Sequence, residues 1–112
     1  MVLKKNPLNL NPLQLKTLTL LQELARGENK PVDGEEGAFA VTALPHAHGN
    51  HFHLGRYVVS SADATGLSNP AVWAILERKG MLRQRPDSVQ VTAQGMAYDT
   101  GLRDKILHGS DH

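Results

Sequence analysis

The stretch 57–82, YVVSSADATGLSNPAVWAILERKGML, leaves this chain the fewest folding choices. Val58, Ser61, Ala62 and Thr65 stand at offsets 0, 3, 4 and 7, one face of a helix. Gly66 interrupts that spacing and suits the left-handed backbone that ends a helix. Leu67 follows as the plug of a turn. Ser68 is a favourable N-cap, because its side-chain oxygen can accept from an orphan backbone N–H. Pro70 falls in the next first turn, where its missing donor costs least. Val72, Ile75, Leu76 and Lys79 repeat at helical spacing, so the first three face a core and Lys79 snorkels at its edge. Arg78 and Lys79 suit the negative end of the helix dipole, and Gly80 stops the helix. The expectation is two short helices joined by a glycine elbow, the later one presented outward.

The rest of the chain can be read around that pair. At 112 residues it is expected to form a single domain with one modest core. Residues 1–10 read as an N-terminal arm. Asn11 and Pro12 start a helix whose leucines (13, 15, 18, 20, 21 and 24) cover more than half its circumference. That width fits either a central core helix or one that also forms a dimer seam. Residues 27–56 read as a polar loop and a His-rich hairpin insertion, with a strand expected in AFAVTAL (38–44). Residues 81–92 form a hairpin around Arg-Pro-Asp-Ser (85–88). Thr92 caps a C-terminal helix within 93–107, interrupted at Gly101.

Three pieces resemble winged helix-turn-helix regulators of the MarR-like kind. GLSNPAVWAILERKGML carries their Gly-Leu-Ser, Val, apolar-pair and basic-Gly-apolar pattern at Gly66, Leu67, Ser68, Val72, Ile75, Leu76, Lys79, Gly80, Met81 and Leu82. LNPLQLKTLTLLQELA (10–25) is similar to the family's first helix. VQVTAQGMAYD (89–99) is similar to the wing's return strand and the helix start behind it. The resemblance implies an α+β winged helix-turn-helix: three or four helices, a small antiparallel sheet and, here, an extra β-hairpin. Residues 57–80 would be the helix-turn-helix and 81–92 the wing.

Residues 46–53 read HAHGNHFH and hold four of the six histidines. Gly49-Asn50 is a two-residue hairpin signal. With that turn, His48 opposes His51, Ala47 opposes Phe52 and His46 opposes His53, so all four imidazoles emerge on one face. Imidazoles so placed suit zinc or nickel. His46, His48, His51 and His53 are the candidate ligands, with Asp63 or a partner subunit able to complete the set. The alternative is a polar hairpin whose histidines meet solvent or neighbouring side chains.

Formal net charge is only +1, so the chain has no general excess for binding polyanions. With no cysteine there is no disulfide and no thiolate metal site. No apolar run reaches the length of a membrane span, and the start is a poor signal peptide, so a cytoplasmic protein is expected. No nucleophile–base pair is evident, and Glu35 and Glu36 are the nearest acids to the histidines, so no enzyme is expected.

Two functions follow. The first is a homodimeric transcriptional regulator on double-stranded DNA, its metal-binding hairpin biasing operator affinity. Ser68, Asn69, Trp73, Arg78, Lys79, Arg83 and Arg85 would form its DNA surface, Asn69 toward adenine and the basic residues toward phosphates. The second is a winged-helix module that binds protein through Trp73, with the histidines as a structural staple.

Overall fold

The computed structural model describes residues 6–109, without the side chain of His48. Helix α1 spans Pro12–Glu28. Its start is the expected one: Asn11 Oδ1 accepts from the Gln14 N–H at 2.8 Å, and Gln14 Oε1 accepts from the Asn11 N–H at 2.9 Å. This reciprocal capping box satisfies two orphan donors, and Pro12 occupies the first turn. The helix ends at Asn29 in left-handed backbone, φ 54°. Strands β1 (Lys30–Pro31), β2 (Phe39–Val41), β3 (Ala47–His48), β4 (His51–Leu54) and β5 (Tyr57–Ser60) follow. Two 3-10 turns, Ser61–Asp63 and Thr65–Ser68, lead into α2 (Pro70–Arg78). Then come β6 (Leu82–Arg85), β7 (Ser88–Val91), α3 (Ala93–Ala97), α4 (Arg103–Ile106) and β8 (His108–Gly109).

The strands form two four-stranded antiparallel sheets, ordered β1-β2-β7-β6 and β3-β4-β5-β8. In the first, β6 and β7 make a hairpin with Arg85 opposite Ser88, the tip expected from Arg-Pro-Asp-Ser. Strand β2 joins this hairpin along β7, pairing Ala40 with Gln90.

Helix α1 lies at the centre. Leu18, Leu20, Leu21 and Ala25 are fully buried and join Val41, Val59, Leu67, Val72, Leu76, Val89, Val91 and Ile106 in one core. Leu13, Leu15 and Leu24 are half-buried against it. Its broad apolar surface is therefore covered from within the same chain, and the central-helix expectation holds. Among the described residues Leu44 is the one large hydrophobic side chain left exposed. Polar groups on α1 are matched as well. Thr17 and Thr19 return their hydroxyls to the carbonyls of Leu13 and Leu15. Buried Gln22 donates to the carbonyls of Gly95 and Tyr98, both at 2.8 Å. No helix of the described residues is long and apolar enough to cross a membrane.

Several sequence expectations are corrected. Residues 57–65 are not a helix: β5 pairs with β4 from Leu54↔Tyr57 to His51↔Ser60, and 3-10 turns follow. Gly55, at φ 60°, makes the tight turn between β4 and β5, and Val59 faces the core. Ala62 and Thr65, expected on one face of a helix, are exposed. Gly66 does not take left-handed backbone; it lets the chain pass close to α1, since a Cβ there would sit 1.8 Å from Thr17 Oγ1. The cap of α2 is Asn69, not Ser68. The C-terminal helix is interrupted at Gly101, φ 72°, as expected, but its first part ends early, at Ala97, because Tyr98 turns to extended backbone.

Candidate nucleic-acid interface and the histidine hairpin

Asn69 accepts the Ala71 N–H at 3.0 Å, which starts α2 with Pro70 in its first turn. Val72 and Leu76 fix the helix to the core, while Pro70, Ala71, Ala74, Glu77 and Arg78 face outward. Gly80, at φ 81°, stops it as expected. Glu77 accepts from both the backbone N–H and the side-chain amide of Gln84, clasping α2 to β6. The elbow is held by Trp73. Its ring is half-buried against the core and its Nε1–H donates to the Gly66 carbonyl at 3.0 Å.

The residues expected to meet DNA divide into two groups. Ser68, Arg78 and Arg85 are exposed, and neither arginine has an ion-pair partner among the described residues. Asn69, Trp73, Lys79 and Arg83 are committed inside the molecule. Lys79 Nζ donates to the Leu8 carbonyl at 2.7 Å, tying the N-terminal arm to the end of α2. Arg83 pairs with Glu35 and donates to Gln90 Oε1 at 3.2 Å. Glu35 also accepts the Ala93 N–H at 2.9 Å. That amide first, then the guanidinium of Arg83, holds the Glu35 carboxyl below its ordinary range. Sequence reading had Glu35 only as a neighbour of the histidines; its partners are distant in the chain, so no local pattern marks it.

The second sheet carries the histidines. The turn falls at Gly49-Asn50 with Gly49 at φ 67°, and the register pairs His48 with His51 and Ala47 with Phe52, as expected. His46 precedes the strand and is exposed; the β3–β4 ladder ends at Ala47 and Phe52 without the expected His46–His53 pair, and on the other edge of β4 His53 pairs with Val58. Only the backbone of His48 falls within the description. His51 and His53 share one face of β4, while Phe52 packs on the core from the other. Their Nε2 atoms stand 3.2 Å apart, with the rings edge to face at 84° and centroids 4.9 Å apart. Asp63 does not join them, since its carboxylate pairs with Lys16 Nζ at 2.8 Å. Among the described residues no group of three or more His, Cys, Asp or Glu side chains converges on one point. The hairpin is fastened to the elbow by the Ser61 N–H, which donates to the Asn50 carbonyl at 2.9 Å.

A hollow of about 600 Å³, absent from the sequence reading, opens between the end of α1 and the β4–β5 turn, lined by Leu24, Gly27, Thr42, Ala43, Leu54 and Arg56 among others. Glu28 stands at its rim. Partial burial opposes its ionisation, but donors on Thr42 and Ala43 outweigh that and lower its pKa. No known protein family matches the chain, and no curated protein or solved structure is detectably similar to it.

Proposed function

We propose that this chain is a double-stranded-DNA-binding regulator of winged-helix type, with α2 as the recognition helix and β6–β7 as the wing. What supports the reading is the order of parts: α1, strand β2, the elbow, α2, then a hairpin whose return strand pairs with β2. The observation that carries it is the outward face of α2, made of Pro70, Ala71, Ala74, Glu77 and Arg78, with the Glu77 carboxylate engaged by Gln84, beside a hairpin ending in Arg85. Small alanine side chains let a helix approach bases closely and meet thymine methyl groups. Arg78 and Arg85 supply phosphate contacts.

The committed state of Lys79 and Arg83 makes the proposal quantitative. With two available cations per copy, log K should fall against log salt with a slope of about −2 per bound copy, or about −4 for a homodimer on two half-sites. Fluorescence anisotropy of a labelled random duplex from low to moderate salt measures this. Arg78→Ala and Arg85→Ala should each reduce the slope by about 1 per copy. Lys79→Ala should leave it unchanged. Absence of duplex binding at the lowest salt refutes the proposal. The same face favours one competing reading, a protein-binding module. Pro70, Ala71 and Ala74 are apolar and small beside a partly exposed Trp73, and such a surface suits an apolar partner as well as a groove.

A further inference from the structure

We infer that His51 and His53 form a two-nitrogen clip for a divalent transition-metal ion of the zinc or nickel kind, independently of whether α2 binds DNA. The carrying observation is the 3.2 Å separation of their Nε2 atoms. Two imidazoles on one ion, each at about 2.0–2.1 Å and near the tetrahedral angle, stand about 3.3 Å apart. The two nitrogens therefore stand close to the width that a shared ion requires, a distance that also suits a hydrogen bond between them. The backbone explains the setting. Residues two apart on a strand share a face, and β4 is braced on both sides by β3 and β5. Phe52, between the two histidines, is anchored in the core and fixes which face they occupy.

His51 Nδ1 lies 3.5 Å from Asn50 Oδ1, within reach of a tautomer that carries its proton on Nδ1 and keeps an Nε2 lone pair. Without a metal, the Nε2 atoms of His51 and His53 lie at hydrogen-bond distance from each other, whichever ring carries the proton between them. To hold an ion, both rings would carry their protons on Nδ1, which leaves both Nε2 lone pairs available to it. Two protein ligands leave positions for water on a tetrahedral ion. A hard cation such as magnesium, which prefers oxygen, gains nothing from the pair.

The test uses the whole chain, with zinc sulfate, nickel sulfate and magnesium sulfate as probes and imidazole ¹⁵N shifts as readout. Zinc should move the Nε2 signals of His51 and His53 together, with His46 unmoved, and nickel should broaden the same pair. His51→Ala and His53→Gln should each weaken zinc binding by more than the roughly 10- to 100-fold that loss of a mere outer-shell partner costs. Amide spectra matching the parent's show that each variant is folded. Because His53 is exposed, His53→Gln keeps the test decisive if His51→Ala unfolds. The inference is overturned if zinc leaves both signals in place, if magnesium moves them equally, or if His53→Gln binds zinc as tightly as the parent.

Discussion

Replacing Gly66 by alanine probes the closest approach in the elbow. An added Cβ would lie 1.8 Å from Thr17 Oγ1 and 3.1 Å from Thr17 Cβ. Thr17 is 1 % exposed, and its hydroxyl is tied to the Leu13 carbonyl at 2.8 Å, so it has no vacant direction in which to retreat. Overpacking of this kind costs about 1–3 kcal/mol, and a displaced hydroxyl loses a bond worth about 1 kcal/mol. The sum is about 3 kcal/mol, against about 6–17 kcal/mol for a domain of this length. With a urea m-value of about 1.5 kcal/mol/M, the midpoint should fall by about 2 M. Urea unfolding followed by the fluorescence of Trp73, the one tryptophan, measures the shift. Because the obstacle is a side chain, Thr17→Ala should recover part of the loss. The double-mutant cycle should give a coupling of about 0.5–3 kcal/mol. A Gly66→Ala protein within 0.5 kcal/mol of the parent, or strictly additive variants, would refute close approach as the reason for glycine here.

Gly95→Ala should be at least as damaging, about 3 kcal/mol, and no side-chain trimming should rescue it, because the added Cβ would lie 2.0 Å from the main-chain oxygen of Met81; thermal melts of the single and paired variants check this. Trp73→Phe should cost about 1 kcal/mol by urea unfolding, followed by circular dichroism. The loss stays small because the Gly66 carbonyl keeps its bond from the Asn69 N–H. The Glu35 carboxyl titrates lower in the folded chain than its ordinary value of 4.5, so its contribution to stability is present above that value and lost as pH falls through the folded one. Unfolding midpoints at neutral and acid pH should therefore converge in Glu35→Gln relative to the parent.

The features legible in the sequence are those whose cause is local. Asn11, Pro12 and Gln14 specify a helix start by bonds within a few residues. Gly49-Asn50 fixes a hairpin register for the same reason, and Arg-Pro-Asp-Ser does so for the other hairpin. In segment 57–65 the helical spacing of Val58, Ser61, Ala62 and Thr65 is overridden by the turn at Gly55, which folds the chain back along β4. The cross-strand pairing of β5 with β4, and its cover by β8, decided the matter. Exposure of the basic residues was not legible either. Whether Lys79 reaches a phosphate or the Leu8 carbonyl depends on where an arm 71 positions away comes to rest. The same is true of Arg83, whose partner Glu35 is 48 positions distant.

An exposed hairpin tip such as Gly49-Asn50 is ordinarily where a label or a foreign segment is inserted without harm. Here the bond from Ser61 to Asn50 makes that site a poor choice. β5 ends at Ser60 and the first 3-10 turn begins at Ser61, so no slack chain separates the tip's attachment from the elbow. A cargo spliced in at this tip pulls on the bend beneath α2, and any reporter of α2's orientation mounted there reads its own disturbance.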